Sequence, residues 1–115
     1  MDCLFCKIMN GEIPSKKVYE DEYVYGFHDI APMAPVHVLI IPKVHVESAA
    51  ELNEEQLVIM QHLTKAAQKI AKELNIFDSG YRMVLNSGKD AGQTVYHLHM
   101  HVLGGDMLAD FGTRK

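Results

Sequence analysis

The apolar and polar positions along the chain follow two different periods. Residues 36–41 form an apolar run rich in β-branched side chains, interrupted only by His37. A run that is short and apolar predicts a central strand buried on both faces. Residues 57–74 instead carry apolar side chains at intervals of three and four, after Asn53 and an acidic first turn in which Gln56 completes a capping box. This second pattern predicts the one long helix.

The remaining apolar segments predict four further strands and a short N-terminal helix. The strands are expected at residues 18–19 and 23–27, joined by a charged turn, at 81–85, and from about residue 95 to 103. Apolar side chains at helical spacing between residues 3 and 11 predict the short helix. Because most neighbours are joined by short turns, we expect a single α+β domain over the whole chain. Its antiparallel sheet of about five strands is covered by the long helix.

Composition narrows the class of protein. With 115 residues and 48% hydrophobic residues, the chain can bury one core. The net charge is -4 and no segment concentrates Lys and Arg, which argues against a nucleic acid polymer as partner. No segment approaches the ~20 apolar residues that a membrane span needs, and the N-terminal residues do not resemble a secretion signal. We therefore expect a soluble, cytoplasmic protein with no membrane partner.

Three histidines recur at every second position near the end of the chain. If residues 95–103 are a strand, then His97, His99 and His101 share one face and the apolar residues between them share the other. Such histidines could be polar residues of a solvated sheet face, but three at period two favour a chemical role. They could share a catalytic metal, or one could act as a nucleophile or base that the others support.

The glycine-containing loop before these histidines offers hydrogen-bond donors for an oxyanion. Residues 86–94 supply backbone amides at Gly88 and Gly92, the Gln93 amide and the Thr94 hydroxyl. No Gly-Lys-Ser/Thr triplet follows the glycines, so the loop is not a P-loop, and a plain surface hairpin remains an alternative. A neutral imidazole can attack phosphorus at neutral pH and forms a labile phosphohistidine, so covalent catalysis on a phosphate ester or amide is chemically sensible.

Cys3 and Cys6 are the only cysteines. A pair at this spacing could be a redox pair, a strained local disulfide, two free thiols or one half of a metal site. We favour a metal half-site in a reducing compartment. Zinc prefers tetrahedral nitrogen and sulfur ligands, so two thiolates and two imidazoles would satisfy it, although the spacing alone does not choose the histidines.

Taken together, these motifs resemble the histidine triad (HIT) family, and specifically its branch of histidine triad nucleotide-binding proteins. The resemblance rests on the His-x-His-x-His pattern and on five further segments: 27–30, 34–37, 41–45, 80–82 and 92–96. It extends from Cys3 to about Met107. It implies a subunit that dimerises so that two sheets join across the interface, and a hydrolase or transferase with a nucleotide cleft on the sheet face that carries the histidines.

The resemblance also assigns roles to individual residues. His99 would attack the α-phosphorus of a nucleoside phosphoramidate, adenylate or dinucleotide, with His101 and His37 as catalytic supports. The residues implied in binding the substrate are Asn86, Gln93 and Thr94 at the phosphate, Asp29 at the ribose, and Phe5, Phe27, His28 and Ile30, with Ile8, Ile13 and Leu39, around the base. A carboxylate suits ribose because it supplies acceptors for two vicinal hydroxyls.

Zinc-binding members of the family, by the same resemblance, imply a structural zinc held by Cys3, Cys6, His45 and His97, and no organic cofactor. The expected partners are a purine nucleotide substrate or its monophosphate product and a second copy of the chain. Two other classes of function stay open at this point. The histidines could hold the metal of a metallohydrolase, or the protein could be a nucleotide-binding regulator with incidental hydrolysis.

Overall fold

The sheet is built around the apolar run that the sequence marks as central. The structure is a computed structural model that describes residues 3–112. Its elements are α1 (Leu4–Met9), β1 (Lys17–Glu20), β2 (Val24–His28), β3 (Val36–Pro42), a 3₁₀ turn (Ala49–Glu51), a second 3₁₀ turn (Glu54–Leu57), α2 (Val58–Glu73), β4 (Tyr81–Leu85) and β5 (Met100–Gly104). The five strands form one antiparallel sheet in the order β1-β2-β3-β5-β4, which confirms the predicted α+β class.

The two faces of β3 support two different clusters of apolar side chains. Val38 and Ile40 point to the face covered by α2, where they are fully buried with Leu63 and Ile70 of that helix. Leu39 and the neighbouring alternate residues pack on the other face, beneath the short helix α1 and its residue Phe5. The alternation of a strand therefore divides the molecule into a helix-packed core and a second face that is free to form a site.

Helix α2 begins as the sequence indicates, and it buries the predicted stripe except at its first position. The Asn53 side chain accepts a hydrogen bond from the backbone amide of Gln56, and the Gln56 side chain accepts one from the backbone amide of Asn53. The predicted capping box is therefore present. The first turn is a tighter 3₁₀ turn that leaves Leu57 51% exposed. Leu63, Ala67 and Ile70 of the predicted stripe are buried against the sheet, and Ile59, Ala66 and Ala71 widen the buried face.

The last strand is shorter than predicted. Pairing with β3 stops at Ile40 and Met100, so residues 95–99 continue the chain without joining the ladder. The Leu98 amide donates instead to the carbonyl oxygen of Val46, at 2.7 Å. The alternation of side chains nevertheless persists, since Leu98 and Met100 enter the core under α2 whereas His99, between them, faces the other side and packs on Phe5. Within residues 3–112, no helix is long and apolar enough to cross a membrane.

Candidate active site

The histidine face of the sheet carries a cavity of about 280 Å³ between α1 and the ends of the strands. His99 and His101 form part of its wall, and Thr94 and Val95 close it from the loop side. The other lining residues are Leu4, Phe5, Ile8, Ile13, Pro14, Ser15, Phe27, His28, Asp29, Ile30 and Leu39. The cavity thus combines apolar side chains with histidine, hydroxyl and carboxylate groups, as a pocket for an amphipathic ligand does.

The backbone fixes the tautomer of His99. Its Nδ1 lies 2.8 Å from the carbonyl oxygen of His97, and the ring is 8% exposed. A carbonyl oxygen only accepts, so Nδ1 carries the proton of the neutral ring and Nε2 keeps its lone pair. Phe5 packs edge-to-face against the same ring, with centroids 5.0 Å apart. The imidazole is therefore held in one orientation, with its nucleophilic nitrogen on the edge away from the backbone.

A second chain of hydrogen bonds fixes His101. The Met33 amide donates to Nδ1 of His37 at 3.1 Å, so the neutral His37 ring carries its proton on Nε2. That Nε2 lies 2.9 Å from Nδ1 of His101 and donates to it. His101 consequently carries its own proton on Nε2, on the opposite edge of its ring. Asp29 completes the group, with its carboxylate oxygen 3.5 Å from Nε2 of His37.

Burial keeps both supporting histidines neutral. It lowers the pKa of His37, against the raising effect of the Asp29 carboxylate. The pKa of His101 is lowered to about 4, first by burial and then by the neighbouring rings of His99 and His37. Because these folded-state pKa values lie below the unfolded value near ~6.5, the stability that they contribute is complete above that pH and is lost as the pH falls towards 4.

The titration of His101 gives a direct check on this arrangement. We expect its imidazole signals in an NMR titration to stay at their neutral positions from pH 8 down to about 5, since protonation would place a charge in a buried site. The resonance is assigned by its loss in His101→Gln. A His101 midpoint near 6.5 would show that the ring is solvated and that the tautomer assignment fails.

The loop residues predicted to bind phosphate are placed differently from one another. Thr94 lines the cavity, whereas Asn86, just after β4, and Gln93 do not. The Gln93 side chain is buried, and its amide donates to the carbonyl oxygens of Glu47 and Val95.

The residues predicted to bind the ribose and the base line the same cavity as His99 and His101. Asp29 follows β2 directly, and its Oδ1 accepts from the Ala31 amide at 2.8 Å, which fixes the carboxylate beside His37. Phe5 and Phe27 are buried and pack edge-to-face with centroids 5.7 Å apart. His28 lines the same cavity, and Ile30 lies at its rim with 98% of its surface exposed.

Cys3, Cys6, His45 and His97 form a compact cluster beneath α1, with one ligand atom from each within 4.8 Å of the others. The Nδ1 atoms of His45 and His97 are 3.1 Å apart, and Nδ1 of His97 lies 3.4 Å and 3.6 Å from the two sulfur atoms. Tetrahedral zinc with nitrogen at about 2.0–2.1 Å and sulfur at about 2.3 Å needs edges of roughly 3.3–3.8 Å. The donor set fits zinc.

The electrostatics of this cluster also suit a bound cation. Nε2 of His97 donates to the carbonyl oxygen of Pro42 at 2.9 Å, so its lone pair is on Nδ1, facing the cysteines. Burial lowers the pKa of His97 and so favours the neutral, metal-binding ring. Burial and the adjacent Cys3 raise the pKa of the Cys6 thiol, and a cation is what would make its thiolate favourable.

A second group, Asp29, His37 and His101, also brings three potential metal ligands together. Here the hydrogen bonds argue against a metal. Since the Met33 amide occupies Nδ1 of His37, the only proton of that ring is on Nε2, the atom that faces the other two residues. A protonated nitrogen has no lone pair for a metal ion. This group is therefore arranged as a hydrogen-bonded network.

Several groups that shape the site are backbone atoms, which no sequence motif can mark. They are the Met33 amide and the carbonyl oxygens of Pro42, Val46 and His97. The hydrogen bond between Ser15 and Tyr25, at 2.8 Å, has no sequence signal either, because Ser15 lies in the connection between α1 and β1 and Tyr25 belongs to an ordinary strand pattern.

The sequence matches a known protein family. The family model of the HIT domain matches residues 10–108 of this chain. The chain belongs to the HIT family. It is 41% identical to the purine nucleoside phosphoramidase of Escherichia coli over 114 residues, which cover 99% of this chain and 96% of that one.

Solved structures agree in fold. A histidine triad protein from Clostridium difficile superposes with a TM-score of 0.94 at 46% identity, and each chain covers 97% of the other. A HIT family hydrolase from Clostridium thermocellum has a TM-score of 0.89 at 50% identity, over 98% of this chain and 96% of that chain. The family resemblance and the prediction of a hydrolase related to purine nucleoside phosphoramidases are confirmed.

Proposed function

We propose that this protein hydrolyses purine nucleoside 5′-phosphoramidates through a covalent nucleotidyl-His99 intermediate and releases the nucleoside 5′-monophosphate. The observation that carries the proposal is the tautomer of His99, whose Nδ1–H is held by the backbone so that Nε2 is a free nucleophile at the wall of the cavity. The relative in Escherichia coli, whose name gives the same class of substrate, supports the choice of a phosphoramidate.

The reaction takes place in two steps. Nε2 of His99 attacks the α-phosphorus, the new P–N bond forms as the bond to the amine breaks, and the departing amine takes up a proton from water. His101 presents an N–H that donates a hydrogen bond to a phosphoryl oxygen or to the departing nitrogen. Water then cleaves the bond between phosphorus and His99, which restores the neutral ring. Adenylates and dinucleotides offer the same phosphorus centre.

Different groups of the cavity wall would recognise different parts of the nucleotide. Thr94, which lines the cavity, would donate to a phosphate oxygen. Asp29 retains free lone pairs on both carboxylate oxygens, and it would accept the two ribose hydroxyls. The apolar walls around Phe5 and Phe27 would enclose the flat base, because rings that pack edge-to-face leave an aromatic surface for stacking.

The metal and the oligomeric state belong to the same proposal. A zinc ion at Cys3, Cys6, His45 and His97 would cross-link α1 to the chain that carries His99, and its role is structural.

Two copies would pair through β4, an edge strand whose residue Met83 is 45% exposed. Sedimentation at micromolar concentration is expected to give a dimer mass, and a monomer mass there would contradict the pairing.

The test of the proposed reaction uses adenosine 5′-phosphoramidate and the wild-type protein. We expect equal amounts of amine and AMP, and a protein mass increased by one adenylyl group when the reaction is quenched early without acid. A protein that binds AMP but releases no amine would instead be a nucleotide-binding regulator.

A further inference from the structure

Gln93 is buried inside the loop before the histidines, and its side chain forms hydrogen bonds with backbone groups. The residue is 5% exposed. Its Oε1 accepts from the Gly88 amide at 2.9 Å, while Nε2 donates to the carbonyl oxygens of Glu47, at 2.7 Å, and Val95, at 3.1 Å. The orientation of the amide is fixed, because the reverse would place an oxygen against two carbonyl oxygens. Both Nε2 hydrogens are thus used within the protein.

The same contacts tie the loop to the preceding segment. The backbone amide of Gln93 also donates to the carbonyl oxygen of Gly88 at 3.1 Å, so these two residues close the turn with two hydrogen bonds. Glu47 is the anchor on the other chain segment, and its neighbour Val46 accepts from Leu98. The stretch from Gln93 to Leu98 is therefore fastened at both ends to residues 46–47. Within it, Thr94 is the residue that brings a hydroxyl to the cavity.

We propose that Gln93 is a positioning residue, not a phosphate ligand: it clamps the loop to Glu47 and thereby holds Thr94 at the cavity wall. Every Nε2 hydrogen that could reach a phosphate already lies on a backbone carbonyl oxygen, and taking one away would leave a buried acceptor unpaired. The effect of Gln93 on turnover rests on the proposed function, whereas its effect on the loop of the ligand-free protein is independent of it.

Hydrogen exchange of the ligand-free protein tests the clamp without any substrate. Gln93→Met removes the three hydrogen bonds at nearly constant volume, and Gln68→Met makes the same change on the exposed side of α2. We expect the amides of residues 88–93 to exchange at least about tenfold faster in Gln93→Met and unchanged in Gln68→Met. Gln93→Asn, which keeps an amide but shortens its reach, should behave like Gln93→Met, and it serves if Gln93→Met does not fold. Unchanged exchange in a folded Gln93 variant overturns the clamp.

A double-mutant cycle with Thr94→Val tests how Gln93 acts on the ligand. If Gln93 works by placing Thr94, then Gln93→Met should lower kcat/KM by about as much as Thr94→Val, roughly 10- to 100-fold, and the double variant should be at most about twofold worse than Thr94→Val. Multiplicative losses would show that Gln93 contacts the substrate itself, and they overturn the proposal. If the wild type shows no turnover, the same cycle is measured on the Kd for AMP, so failure of the reaction and failure of the clamp remain distinguishable.

Discussion

Replacing His99 by asparagine is expected to lower kcat at least about 10³-fold and to leave the affinity for AMP within about tenfold of the wild type. The loss is large because neither neighbouring histidine of the triad offers a free nitrogen: Nε2 of His97 is bound to Pro42, and the lone pair of His101 faces His37. The affinity should survive because the remaining residues that line the cavity keep contacts of their own, such as that between Phe5 and Phe27. The measurements are steady-state amine release and calorimetric binding of AMP.

The adenylyl adduct provides the second readout of the same variant. It should be present in quenched wild-type protein and absent from His99→Asn, since the covalent bond is made by the missing nitrogen. His62→Asn is the matched control: His62 stacks on Tyr23 with centroids 3.8 Å apart and does not line the cavity, so its replacement should leave both turnover and adduct intact. Full activity in His99→Asn would refute the nucleophile, and an adduct that persists there would move it to another residue.

The sequence indicated which face would carry the chemistry, because that inference needs only the period of two. Leu98 and Met100 are core side chains, whereas His99 and His101 face the cavity, even though residues 95–99 are not part of the ladder. The strand limit could not be predicted, because the Leu98 amide finds its partner at Val46, a contact between distant segments. Alternation is a local property of an extended chain, whereas pairing depends on what the rest of the fold brings near.

The same distinction explains what could be predicted of the site. Side chains named from motifs, such as His99 and Thr94, lie at the cavity because motifs record side-chain chemistry. Which atom of each ring is protonated depends on the Met33 amide and the His97 carbonyl oxygen, and any residue type supplies those groups. Tautomers, and with them the roles of nucleophile and donor, are therefore set by tertiary structure. The sequence could name the histidines but not orient them.

Removing zinc is expected to lower Tm by about 10 °C or more before it lowers turnover. The cluster joins α1, the segment after β3 and the chain before β5, so losing the metal removes links between three distant parts of a small domain. A loss of about 3 kcal/mol is enough for a shift of that size. Zinc content by mass spectrometry, calorimetric Tm with and without chelator, and turnover well below the lower Tm are the three measurements, all at neutral pH.

The variant Cys6→Ser separates a structural zinc from its alternatives. It should bind less zinc, melt lower than the wild type and show no further decrease when chelator is added, because it already lacks one ligand. Turnover at low temperature should be retained in part, since His99 keeps its hydrogen bond to the His97 backbone whether or not a metal occupies Nδ1 of His97. Immediate loss of activity with an unchanged Tm would show that the metal is catalytic. If instead the wild-type protein contains no zinc and chelator leaves its Tm unchanged, then Cys3 and Cys6 are two free thiols.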